Sequence, residues 1–136
     1  MKVTRRFTTA GKDVYSAIEW TQRTSRISNA DGSTVFEMKD AEVPKAWSQL
    51  ATDIMVSKYF RKAGVPKSLK PVPEEGVPEF LWRKQPKDGA KETTGEKSAK
   101  QVFDRLAGTW TYWGWKGGYF DAESDARAFY DELCHM

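Results

Sequence analysis

The side chains most open to chemistry are Cys134 and His135, the only cysteine and the only histidine of the chain. A thiolate nucleophile or a metal centre needs several such groups converging on one point. Neighbours on a helix diverge by about 100°, so this pair is expected to do no chemistry. A single thiol also excludes an internal disulfide framework and a multi-thiolate metal site. The run from Gly89 to Ser98 has the ingredients of a phosphate cradle leading into a helix. Its spacing fails, because five residues separate Gly89 from Gly95 and Glu96 follows directly, where a phosphate loop has four and then a lysine. A linker with a capped helix start is the expected reading. Asp121, Glu123, Asp125, Asp131 and Glu132 match no calcium-loop spacing and suit capping and helix-dipole complementarity. No catalytic, cofactor-binding or metal-ligating residue is predicted.

Aromatic residues carry the other candidate chemistry. Three of the six tryptophans, Trp110, Trp113 and Trp115, fall within six positions. With lysines nearby, they could stack single-stranded bases over a basic groove. The net charge of +3 is small for that mode, and Trp110 and Trp113 sit at core spacing. Nucleic-acid binding is therefore not expected, although a small single-stranded nucleic-acid-binding or partner-binding module is the alternative reading. Indoles found in solvent along a basic furrow would overturn the core reading and put that alternative in its place. Trp115, Tyr119 and Phe120 fall off the main helical face and around Gly117-Gly118, so they are expected to pack on something outside this chain.

The elements that must position these residues read as one α+β domain over 1–136, mostly helical. A β-hairpin packs on about three helices, with a long Pro/Gly-rich crossing. Residues 1–15 form a polar arm. Residues 17–39 form the hairpin, with β-like runs on either side of Asn29-Ala30-Asp31-Gly32. Residues 44–62 form a helix opened by Pro44 at its first position, with Trp47, Leu50, Ala51, Ile54, Met55, Tyr59 and Phe60 as a broad stripe contacting two sides. Residues 63–97, punctuated by Pro66, Pro71, Pro73, Pro78 and Pro86, cross the surface pinned at Phe80-Leu81-Trp82.

Residues 98–116 form the organising helix. Ser98 and Gln101 make a capping box, Val102, Phe103, Leu106, Trp110 and Trp113 make the core stripe, and Gly117-Gly118 supplies the stop. Residues 121–136 form the last helix, N-capped by Asp121. It reaches Met136 without a stop signal, which suggests a chain cut from something longer. The N-terminus lacks a signal-peptide pattern and no run approaches 18 apolar residues, so a cytoplasmic protein with no membrane partner is expected.

Pro44 to Ile54, Ser57 to Lys62, Ser98 to Phe120 and Ala126 to Leu133 together resemble the N-terminal domain of class II ribonucleotide reductases, the adenosylcobalamin-dependent form. Arg5-Arg6-Phe7-Thr8 and the hairpin from Ile18 to Phe36 also fit, so the resemblance covers nearly the whole chain. It implies a parent enzyme that replaces the ribose 2′-hydroxyl of a ribonucleotide with hydrogen and supplies DNA precursors. The substrate is usually a diphosphate in bacterial members. In that family, cobalt–carbon homolysis generates a cysteine thiyl radical that abstracts the 3′ hydrogen. A cysteine pair then supplies two electrons, all inside a ten-stranded α/β barrel beyond this domain. One cysteine cannot fill those roles. The resemblance thus implies a segment that supports the catalytic barrel and is not catalytic by itself. Adenosylcobalamin and the ribonucleotide would be held by the barrel and not by this segment. Trp115, Tyr119 and Phe120 are the expected barrel contacts.

Overall fold

The computed structural model describes residues 1–136. Its elements are β1 (Trp20–Ser28), β2 (Thr34–Pro44), α1 (Gln49–Ile54), β3 (Val65–Pro66), β4 (Leu69–Pro71), β5 (Lys84–Pro86), β6 (Thr93–Thr94), α2 (Ala99–Lys116) and α3 (Glu123–His135). Short 3₁₀ turns lie at Val14–Ala17 and Glu79–Leu81, and a π turn at Met55–Tyr59 follows α1. The α+β class, the hairpin and three helices agree with the sequence.

β1 and β2 form the antiparallel hairpin, closed by a turn in which Asn29 N–H donates to the Ser33 carbonyl at 2.8 Å. Arg23 pairs with Ala41 but Ser25 with Met38, so β2 carries one extra residue opposite Thr24. Asp40 absorbs that bulge at φ 57°, a left-handed conformation that Asp tolerates better than most residues. The extra residue moves the inward-facing phase of β2 from even to odd positions. Phe36 and Met38 face the core before it, and Ala41 and Val43 after it. The predicted hairpin stopped at 39 because alternation breaks at this bulge; the strand continues to Pro44.

Pro44 therefore ends a strand and does not open a helix. α1 begins five residues later, where the Ser48 hydroxyl accepts from Ala51 N–H at 3.1 Å. Only six residues long, it widens into the π turn, and Phe60 N–H reaches back to the Met55 carbonyl. The widening places Val56 and Phe60 in the core while Leu50, Ile54 and Tyr59 stand exposed. The broad two-sided stripe predicted for 44–62 is thus covered on one side.

The crossing folds back on itself as a broken two-stranded ribbon, β3 pairing with β6 and β4 with β5. Prolines at positions 66, 71 and 86 confine these strands to two or three residues, since proline cannot donate to a ladder. The pin is at the predicted place. Leu81 is buried, the Phe80 ring meets Tyr130 edge-on at 5.9 Å, and the Trp82 indole N–H donates to the Val77 carbonyl.

α2 starts with the predicted capping box, Gln101 Oε1 accepting from Ser98 N–H at 3.0 Å. Gly118, at φ 71°, makes the left-handed exit. Its first half packs Val102, Phe103 and Leu106 against Val43, Val56, Phe60 and Trp47. Its second half buries Ala107, Thr111 and Gly114, the helix now leaning on α3. Trp110 and Trp113, predicted as core, are 49% and 63% exposed. The stripe has the expected phase, but the hairpin layer that covers it stops short of the helix end.

α3 starts at Glu123 with Ala122 at the cap and no side-chain cap bond. Asp121 instead receives the N-terminal ammonium. That contact begins a clasp. Val3 N–H donates to Asp125 at 2.9 Å, Arg5 meets Asp131 at 2.8 Å, and Thr8 donates twice to Glu132. Residues 1–8 of the expected arm lie strapped along α3, and a 3₁₀ turn begins at Val14.

Candidate functional site

The reactive pair diverges as helical geometry requires. His135 lies flat on Phe7, with ring centroids 5.1 Å apart and planes 8° from parallel. Cys134 is buried in a small cluster with Val14 and Ala107, flanked by Tyr15 and Tyr130. Both phenols donate to one oxygen of Asp104, at 2.7 and 2.8 Å. Burial pushes the thiol up to about 11, although the two tyrosine hydroxyls oppose it. Burial, the thiol and Asp104 drive both phenols well above the usual tyrosine range. A thiol held this high and shielded from solvent is a poor nucleophile at neutral pH.

The loop that resembled a phosphate cradle is closed by an internal ion pair. Glu96 is buried, takes Arg105 Nε at 2.8 Å and accepts from Arg61 N–H at 2.8 Å. Burial alone would raise this carboxyl, but the guanidinium and the N–H groups outweigh it and hold it below its ordinary value. The acidic residues of α3 are likewise engaged. Asp131, 1% exposed, is shared by Arg5 and by Arg127 one turn earlier at 3.0 Å. Glu132 is drawn down to about 2; burial opposes this, and the Thr8 hydroxyl with the N–H groups of residues 6–8 overcomes it. Nowhere do three or more His, Cys, Asp or Glu side chains converge in a way that could hold a metal ion.

The three expected contact residues do not share one environment. Trp115 is half-buried, its indole N–H donating to the Gly76 carbonyl at 2.7 Å. Phe120 is half-buried against Phe129, with centroids 5.4 Å apart, and leans on the bare backbone of Gly114. Tyr119 is 66% exposed. The structure brings Trp115 and Phe120 onto partners inside the domain and leaves Tyr119 free.

A strut between the crossing and the end of α2 left no mark in the residue pattern. Glu74 accepts from the Tyr112 hydroxyl at 2.9 Å and from Lys116 at 2.9 Å. Tyr112 and Lys116 are one turn apart on α2, a readable spacing, but their partner lies some forty positions away. A groove of about 530 Å³ runs beside this strut between the ribbon and α2. Trp82, Tyr112 and Trp113 line it with Arg61, Arg83 and Lys84. A second open groove of about 880 Å³, lined mostly by charged residues, lies between the loop at Gly11 to Asp13, the 3₁₀ turn at Glu79–Leu81 and α3. No helix is long and apolar enough to cross a membrane.

The sequence profile described as class II vitamin B12-dependent ribonucleotide reductase matches residues 21–136. The chain belongs to that family. It is 55% identical, over 143 aligned positions, to the vitamin B12-dependent ribonucleotide reductase of Bradyrhizobium diazoefficiens, all of the chain matching 11% of that protein. The Agrobacterium fabrum protein of the same name is 54% identical over the same extent. That of Rhodopirellula baltica is 32% identical over 90% of the chain and 9% of its own length. The chain thus spans about a ninth of the length of the relatives it matches, and it corresponds to the N-terminal part of a class II ribonucleotide reductase.

Proposed function

We propose that this domain supports the catalytic barrel of an adenosylcobalamin-dependent ribonucleoside-diphosphate reductase and takes no part in the chemistry. The observation that carries this reading is Cys134. A radical reductase that draws electrons from protein thiols needs them paired and reachable. The only thiol here is buried, protonated and hemmed by two phenols. The ribonucleotide reaches this domain only through the barrel, and a cytoplasmic location belongs to the same reading.

The side chains present do not suit the cofactor that the family implies. The one imidazole lies flat on Phe7, outside both grooves. The larger groove is lined by charged groups and a single apolar residue, whereas a cofactor site is mostly apolar and enclosed. Adenosylcobalamin is accordingly assigned to the remainder of the enzyme. Of the residues proposed to touch the barrel, Tyr119 is exposed, and Trp115 and Phe120 are half-buried against partners inside the domain.

The test is Cys134→Ser in the full-length enzyme, followed by turnover with ribonucleoside diphosphates and triphosphates. Turnover within about threefold of the parent, with the diphosphate preferred, supports the reading. A loss beyond about a hundredfold in a folded variant, the scale of removing a reacting group, would make Cys134 catalytic and defeat it.

A second reading has one observation in its favour. Two indoles do stand in solvent, and Trp113 borders a groove holding Arg61, Arg83 and Lys84. That arrangement matches a platform for single-stranded nucleic acid. Against it, Glu96 occupies Arg105, and Glu74 lies 3.9 Å from Arg83. Salt-sensitive quenching of tryptophan fluorescence by an oligonucleotide would favour this alternative.

A further inference from the structure

We propose that the outer face of the last two turns of α2, built on Trp110 and Trp113, seats the catalytic part of the same polypeptide. This rests on the reading of the domain as a support, and it names where the support is made.

The argument starts from continuity. Val102, Phe103, Leu106, Trp110 and Trp113 form one stripe on α2, spaced by one, three and four residues. The first three are packed under β2, Trp47 and the π turn. The last two continue the same line beyond the edge of that layer, at 49% and 63% exposure. Nothing in the helix itself accounts for the change. Gly114, on the neighbouring face, is fully occupied by Phe120, so the helix is well packed where a partner exists. What is missing over Trp110 and Trp113 is a further layer.

The size of the relatives identifies that layer. In proteins 55% and 54% identical to it, this whole chain accounts for 11% of the length. Close to nine-tenths of the polypeptide therefore lies beyond it, ample to supply an element that extends the hairpin layer. Tryptophan is also the residue type most enriched among interface anchors, where a pocket on the partner desolvates it.

Charge narrows the partner surface. The groove beside Trp113 holds Arg61, Arg83, Lys84 and Arg105 against Glu96 and Asp104. Glu96 already neutralises Arg105 and Glu74 lies 3.9 Å from Arg83, while Asp104 is turned towards two phenols, which leaves Arg61 and Lys84 as the free cations of the rim. The complementary surface is thus an apolar pocket edged by carboxylates. Such a rim fixes orientation and adds less to affinity than the buried indoles do.

The experiment is hydroxyl-radical footprinting of the full-length enzyme, read by mass spectrometry, with a Trp110→Lys/Trp113→Lys variant beside it. Both positions are on the domain surface, so the variant is expected to keep this domain folded, which amide exchange in α2 checks. The expected result is that both tryptophans oxidise at least roughly fivefold more slowly than the free amino acid, as buried sites do. In the variant, proteolytic cleavage beyond residue 136 is expected to accelerate about tenfold, as a docked segment comes loose.

Oxidation of Trp110 and Trp113 at the free rate in the full-length enzyme would overturn the proposal. So would protection that appears only as enzyme concentration rises, which would indicate a second copy, or only on adding single-stranded DNA. Protection in the parent and loosening in the variant, with turnover unchanged, would uphold the docking face and remove its importance for the reaction. The docking inference and the support reading thus fail on different readouts.

Discussion

Val102 and Trp113 lie on one stripe of α2, yet the first is 1% exposed and the second 63%. The turns holding Val102, Phe103 and Leu106 are roofed by β2, Trp47 and the π turn with Phe60. The turns holding Trp110 and Trp113 have α3 on one face, through Ala107, Thr111 and Gly114, and the crossing on another, through Tyr112 and Trp115, with no layer over the two indoles. Periodicity reports which face of a helix is apolar. It does not report how far along the axis the covering layer extends, and that length decides which aromatic is core and which is ledge.

The comparison breaks if the two halves respond alike to substitution. Phe60→Ala, under the roof at 4% exposure, is expected to cost about 3–5 kcal/mol, the range for emptying a buried aromatic site. Denaturant unfolding of the chain measures it, and a cost below about 1 kcal/mol would mean that the roofed half is not the core. Gly114→Ala comes next. A methyl there would meet Phe120 ring carbons at 2.8 and 3.1 Å, and overpacking of this kind costs about 1–3 kcal/mol. Trimming the ring in Gly114→Ala/Phe120→Leu should recover part of that loss; no recovery would show that the clash lies elsewhere.

Acid sharpens the contrast between ion pairs that brace the core and those that strap the arm. Glu96 titrates below its ordinary value in the folded chain. Its contribution is therefore whole above the unfolded carboxyl range and disappears as pH falls through the depressed value. Glu96→Gln is expected to cost about 1.5–3 kcal/mol at neutral pH, the range for hydrogen bonds to a charged group. The gap to the parent should close in acid, and a gap independent of pH would contradict the assignment. Glu132 follows the same sign. As pH falls from the ordinary carboxyl range to about 2, the protection of the Phe7 and Thr8 amides relative to their intrinsic exchange rate should drop while that of α2 holds. The smallest effect belongs to the ledge. Trp110→Ala is expected to change stability by no more than about 1 kcal/mol in this chain, as exposed positions usually do.

Much of this architecture was legible because local chemistry set it. The capping box at Ser98, the glycine exit of α2, the turn at Asn29 to Gly32 and the pin at Phe80 to Trp82 each depend on neighbouring residues. What escaped depends on distant ones. The bulge at Asp40 inverts the alternation of β2 and hides its second half. The π turn after Ile54 changes which residues of the 44–62 stretch face inward. Asp121 is drawn from the cap of α3 by the N-terminal ammonium, a contact across 120 positions. The site followed the same division. The divergence of Cys134 and His135 followed from helix geometry alone, whereas the Asp104 cluster that buries the thiol joins three segments and left no local trace.

The claim that this domain is a support, with the reacting groups elsewhere, is tested most directly by removing residues 1–136 from the full-length reductase and measuring thermal unfolding and turnover together. The account expects a lower unfolding midpoint for the truncated enzyme and a fall in turnover that tracks the loss of folded protein, with turnover per folded molecule largely kept. An unchanged midpoint, or complete loss of turnover in a molecule that remains fully folded, would contradict it.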